Sequence, residues 1–466
     1  MTKHAIISRG RGTRIEYAPF GSVVLVALAI LTPRPSAAQA PTYETLYSFK
    51  GSPDGADPRG TVTIGASGAL FGTTFEGGAS VHGTVFALTK AAGQLWKETV
   101  VHSFTGADGQ YPESALVFGG NGVLYGVAVG GGPGGSGAIF ELVPASSGET
   151  WAETVLYSFV YLTGNGQNAV PNGPLLIGPG GTLYTTTQGG PDRPGGPNLG
   201  LVISLTPPKA SGTSWTEHEL YTFGFAQGEW PVAGVASESG SLFGTTLYGG
   251  DEGCLASYGC GTVYELTPPA TEGGAWIETT IHTFGETPGD GEVPESALAV
   301  GPGGALYGTT YYGGTGVCYT SGGLTSGCGT VFQLTPPTAP GGPWTYSVIY
   351  NFTGANGDGA APVAAVVVGR NGAIYGTTSS AGSATSDSAC PASYYVIAGC
   401  GIVFELSPPA TPGGTWTEKV LHSFSGENGD GAIPLAGLAR SSSGVLYGTT
   451  SAGGTAGKGT VFAIAP

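Results

Sequence analysis

The sequence is poor in what helices need. Lys, Arg, Asp and Glu together supply only 10% of its residues and Met occurs once, so the straight-chain residues that favour helix are scarce. No Gly-Lys-Ser/Thr follows any of its glycine runs, which excludes a phosphate-cradling loop at a helix N-terminus. Glycine does not recur at every third position, which excludes collagen, and the supply of aromatics excludes disorder. What is present is 87 Gly and 34 Pro among 466 residues, with 7 Trp, 22 Tyr and 18 Phe. Abundant turn formers between aromatic-rich segments point to an all-β protein.

Residues 1–40 read as a secretory signal peptide. Lys3, Arg9, Arg11 and Arg14 precede the apolar run 23–31, and Ala38-Gln39-Ala40 has the small-x-small pattern of a cleavage site. The apolar run is too short to span a bilayer, so a mature chain of 41–466 with no membrane span is expected, secreted or held in the periplasm or at the cell surface. The leader holds five of the 15 basic residues and one of the 31 acidic ones. The mature chain therefore keeps 10 basic and 30 acidic residues, a charge of about −20, which disfavours nucleic acid and anionic membranes as partners. A monomer is expected.

A motif of the form aliphatic, Tyr or His, hydroxyl or Asn, Phe recurs seven times, ending at Phe49, Phe104, Phe159, Phe223, Phe284, Phe352 and Phe424. Each copy is followed by a Gly-rich turn ending in Pro, an apolar run, a strand like Leu306-Tyr307-Gly308-Thr309-Thr310, and a strand like Gly329-Thr330-Val331-Phe332. Four short strands in each of seven units fit a seven-bladed β-propeller. We label the four strands a to d, from the run after Pro to the aromatic motif. The chain starts with d and stops with c, so 43–49 are expected to complete the last blade beside 459–464 and close the ring without exposed edges. Strand d opens with Trp96, Trp151, Trp215, Trp276, Trp344 or Trp416, and this regular recurrence marks packing between blades.

The units resemble the GloVer tandem repeats of exported bacterial proteins, whose signatures stand at 242–250 and 261–267. The resemblance runs over 43–464 and implies an extracellular repeat protein; blade 2 departs at Val127-Ala128 and blade 3 at Thr185. A weaker resemblance joins strands a and b to Gly-x-Leu-Tyr propellers that include binding modules and lactonases.

In a propeller the d-to-a and b-to-c loops share one face. The b-to-c loops vary sharply: four residues in blades 7 and 1, but 251–260, 315–328 and 383–400 in blades 4 to 6. Variable loops on a rigid frame mark a candidate site. All six cysteines lie in these three loops as the local pairs Cys254 with Cys260, Cys318 with Cys328 and Cys390 with Cys400. Export and the absence of nearby His favour disulfides over zinc. The same face gathers Trp230, Tyr248, Tyr258, Tyr311, Tyr312, Tyr319, Tyr394 and Tyr395, side chains suited to stacking on sugars or packing on a protein. Packing the long loops on one another is the competing role.

The d-to-a loops repeat Asp-Gly-x-x-Pro at Asp54, Asp108, Asp290, Asp358 and Asp430. These fit Asx-type turns; calcium is the rival, but the loops lack the leading Asp and the terminal bidentate Glu of a calcium loop. For catalysis the inventory is thin: His82 is the one histidine in a b-to-c loop, with no paired ligand or nucleophile. Glu113 and Glu295 follow the Pro that opens strand a in blades 2 and 5 and are the weak candidates for carboxylate chemistry. The expectation is thus a binding or adhesion module for carbohydrate or an extracellular protein, with no required cofactor. A glycoside hydrolase, lyase or lactonase using carboxylates on the same face is the alternative.

Overall fold

Each four-strand unit folds into one antiparallel sheet, because each apolar strand face can be buried only against the next unit. In the computed structural model the described residues are 40–145, 150–160, 169–193, 196–209, 214–250, 258–271, 273–321, 324–339, 341–383, 390, 397–411 and 413–466. They form seven blades in a ring, a seven-bladed β-propeller. Among the described residues helix is confined to three-residue 3-10 turns such as Pro302–Gly304, and no helix is long and apolar enough to cross a membrane.

Blade 5 shows the pattern. Its strand a, Ala299–Val300, pairs with strand b, Leu306–Thr310; b pairs with c, Thr330–Thr335, and c with d, Thr345–Asn351. The last blade runs Ala439–Arg440, Leu446–Thr450 and Thr460–Ala465, and is completed by the N-terminal strand Thr42–Ser48. In that closing pair Tyr43 faces Ile464 and Ser48 faces Thr460, and the Phe49 amide donates to the Gly459 carbonyl at 3.0 Å. The ring is closed as the order of motifs requires.

The motif residues now acquire reasons. Gly308 lies under the Phe332 ring, where an added Cβ would meet Cζ at 2.4 Å. Blade 3 has Thr185 at that position and Ile203 opposite it, so the missing glycine is matched by a smaller partner. The first Thr of Leu-Tyr-Gly-Thr-Thr reaches across to the next blade. Thr73, Thr245, Thr309, Thr377 and Thr449 donate to the carbonyls of Ser114, Ser296, Ala364, Ala436 and Gly60 at 2.9–3.2 Å, and Thr186 does the same to Ala233. Each contributes about 1 kcal/mol. Val127 leaves the junction between blades 2 and 3 without this bond.

Five of the six recurring tryptophans pack edge-on against strand b of the preceding blade, as in Trp151 on Phe71 at 5.8 Å and Trp416 on Tyr307 at 6.4 Å. The Phe of strand d is the deepest core element: Phe49, Phe104, Phe284, Phe352 and Phe424 are fully buried.

Candidate functional site

The loops that end in Pro are clasped by unusual backbone. The residue before that Pro has a left-handed conformation in six blades: Asp57, Tyr111, Trp230, Val293, Ala361 and Ile433, with φ between 55° and 60°. This costs roughly 1–2 kcal/mol per residue for a side chain other than Gly. Two hydrogen bonds hold each one. Val293, Ala361 and Ile433 donate to the carbonyls of Cys260, Cys328 and Cys400 of the preceding blade at 2.9 Å, and their own carbonyls accept from Tyr311, Ser379 and Ser451. The disulfide loops therefore end where the next blade is gripped. Cys318–Cys328 and Cys390–Cys400 are bonded, with Cα separations of 5.0 and 5.3 Å. Cys260 is disulfide-bonded too; Cys254, its expected partner, lies outside the described residues.

Just beyond this clasp, each blade directs the residue after its Pro toward the ring axis. Arg59, Glu113, Asn172, Val232, Glu295, Val363 and Leu435, one per blade, line a single cavity of about 810 Å³. Its lining also takes in residues at the end of strand b and in the b-to-c loops, among them Gln188, Leu247, Tyr311, Ser379 and Ile397. The cavity thus opens on the face that the long loops build up.

The cavity wall is electrically uneven. Arg59 donates to Asp57 at 2.7 Å and lies 3.5 Å from Glu113, with its guanidinium 3.7 Å from the centre of the Phe75 ring. Burial raises the Glu113 carboxyl, and Arg59 partly offsets this. Across the ring Glu295 has no ion pair among the described residues, and burial pushes it up to about 7. The two weak catalytic candidates of the sequence, three blades apart, are brought to one cavity in different surroundings.

Trp230 packs against Tyr248 at 5.5 Å, and Tyr248 against Tyr258 at 6.0 Å. Tyr258 is 64% exposed. Leu247, next to Tyr248, lines the cavity and donates its amide to the Trp230 carbonyl at 3.0 Å, while the rings of Trp230, Tyr248 and Tyr258 themselves stand outside its lining. Tyr311 lines the cavity itself and packs on Tyr312 at 4.4 Å. Tyr394 and Tyr395 lie outside the described residues, as does the side chain of Tyr319. Arg59, Asn172 and Gln188 were not singled out from sequence; aligning the seven residues after Pro would have found the first two.

The repeated Asp residues spend their oxygens locally. Asp290 accepts from the amides of Gly285 and Gly291 at 3.1 and 2.7 Å and from His282; Asp54, Asp358 and Asp430 also accept two backbone amides each. This is turn chemistry of the Asx type. His82 sits near Tyr111, ring centroids 6.1 Å apart, and does not line the cavity.

The family model described as the Gloeobacter/Verrucomicrobia repeat matches residues 36–196 and 316–466. No curated protein matches the sequence. Among solved structures, the chain is similar to a polysaccharide lyase of family PL25, an ulvan lyase bound to -[GlcA(1-4)Rha3S]-, at 10% identity, with 91% of this chain and 95% of that one covered and a TM-score of 0.47. It is similar also to a hypothetical selenium-binding protein from Sulfolobus tokodaii at 13% identity, covering 75% and 74%, with a TM-score of 0.45. A third is the GH93 α-L-arabinofuranosidase of Fusarium graminearum in complex with arabinobiose, at 14% identity, covering 75% and 91%, with a TM-score of 0.39.

Proposed function

The chain belongs to the Gloeobacter/Verrucomicrobia repeat family, and from that premise we propose that it is an exported glycan-binding propeller whose ligand enters the axial cavity from the face carrying the disulfide-pinned loops. The observation that carries this reading is the aromatic row Tyr258, Tyr248 and Trp230, which packs beside Leu247 of a cavity lined by Tyr311, Asn172, Arg59 and two carboxylates. Sugars present flat apolar faces and a fringe of hydroxyls; flat rings bind the first, and fixed polar groups the second. The disulfides fit an oxidising compartment, in agreement with a leader at 1–40.

The test is binding of the purified protein to an oligosaccharide panel. Trp230→Ala together with Tyr248→Ala should weaken the best ligand by about 10-fold or more, since a buried aromatic contact is worth a kcal/mol or two. Binding unchanged by that double substitution would refute the reading, and capture of proteins but no glycan would favour a protein-binding role.

A second reading rests on the carboxylates. Glu295, half-protonated near neutrality, and Glu113, beside Arg59, have the unequal environments that separate an acid from a base in glycoside hydrolysis or lyase chemistry. Turnover of a bound glycan that disappears in Glu295→Gln while binding persists would establish it. Binding without turnover would leave the module reading alone.

A further inference from the structure

At five of the seven junctions between blades the outer strands bring three positions together. They are the Tyr or His near the end of one strand d, the Asp of the loop that follows it, and the third residue of the next blade's strand d. The other two junctions have Gln167 and Gln227 in place of the Asp. Tyr47 donates to Asp54 at 2.9 Å, with Glu98 as the third member; Tyr350, Asp358 and Glu418 form the same set. Where His replaces Tyr, the third member is Tyr. His282 bonds Asp290 at 3.1 Å and stacks on Tyr346 with ring centroids 3.7 Å apart, and His422 bonds Asp430 and stacks on Tyr43 in the same way.

One junction breaks this rule. Between blades 1 and 2 a His meets a Glu: a ring nitrogen of His102 and one oxygen each from Asp108 and Glu153 lie within 4.8 Å of one another. His102 Nε2 is 3.0 Å from Asp108 Oδ2, while Asp108 Oδ1 is held by the amide and hydroxyl of Thr105, both at 2.9 Å. Glu153 Oε1 is shut off from water and has no hydrogen-bond partner. Both His102 and Asp108 keep 19% side-chain exposure, which leaves a route for an ion from solvent. None of the three lines the axial cavity.

We propose that His102, Asp108 and Glu153 form a binding site for a divalent transition-metal ion of the Zn²⁺ type at the outer edge of this junction. One imidazole and two carboxylates are three ligands of the kind Zn²⁺ takes, with a fourth position left for water. A nitrogen donor and so few oxygens do not suit Ca²⁺, which takes six to eight oxygens. The Thr105 bonds orient Asp108 as a supporting shell orients a ligand.

The other junctions supply fold-compatible variants. His102→Tyr produces the Tyr, Asp, Glu set already present at Tyr47 and Tyr350, and Glu153→Tyr produces the His, Asp, Tyr set present at His282 and His422. The full chain, free of any tag and stripped with chelator, is titrated with ZnCl₂ by calorimetry and by melting. The wild type is expected to bind one Zn²⁺ per chain and to melt higher with it. Each variant should melt like the metal-free wild type and bind at least about 10-fold more weakly. No heat and no melting shift for the wild type with Zn²⁺ in excess would overturn the proposal, as would an affinity that neither substitution changes.

Discussion

Gly329 offers the sharpest test of how the blades are joined. It opens strand c of blade 5 at φ +93°, and a Cβ there would lie 2.5 Å from Cδ of Pro362 in blade 6 and 2.5 Å from the Thr310 carbonyl oxygen. Gly329→Ala meets two costs: about 1–2 kcal/mol for a left-handed alanine and about 1–3 kcal/mol for forcing a rigid Pro ring and a paired strand apart. The sum is roughly 2–5 kcal/mol. Gly93 is the control, at φ +74° with nothing within 4 Å of its Cβ position, so Gly93→Ala meets only the backbone cost. The gain from a stiffer unfolded chain is common to both and cancels. Urea unfolding followed by tryptophan fluorescence should show Gly329→Ala with the lower midpoint, which at unchanged slope corresponds to about 1–3 kcal/mol. Equal midpoints would refute the idea that the Gly–Pro contact joins neighbouring blades.

Reduction of the disulfides should lower stability by about 2–3 kcal/mol for each ten-residue loop opened, read as a lower urea midpoint in reductant. It should also weaken glycan binding, because the pinned loops wall the site. The pH dependence of stability tests Glu295. Its folded value, about 7, lies above its ordinary 4.5, so the folded state keeps a proton that the unfolded chain has lost. Stability should therefore fall as pH rises from about 4.5 to about 7 and level off above. Glu295→Gln should flatten that slope, while Glu98 and Glu418, also raised to about 7, keep part of it. Added Ca²⁺ should leave the melting temperature unchanged, since the Asp oxygens of the d-to-a loops are already bonded within their turns.

The ring, the strand order and the closing strand were legible because each repeats in sequence with its own turn chemistry. Seven copies of one pattern, with the fourth strand displaced to the N-terminus, admit one closure. The pairs Cys318–Cys328 and Cys390–Cys400 were legible for the opposite reason: they break the repeat locally. The axial cavity was only half legible. Glu113 and Glu295 were visible as polar residues after Pro, but which residues share a cavity depends on ring closure, and Arg59 pairs with Glu113 across a blade boundary. The metal-type cluster was not legible, because Glu153 meets His102 through packing of adjacent outer strands 51 residues apart. Its signal, a His whose partner position holds Glu instead of Tyr, emerges only when the seven junctions are compared in register.

The most direct test of the glycan site is hydrogen–deuterium exchange of the protein with and without its best-binding oligosaccharide. Protection should be confined to the loops around 228–232, 247–260, 293–297 and 309–313. Protection on the c-to-d loops of the opposite face, or none with a ligand at saturation, would contradict the account.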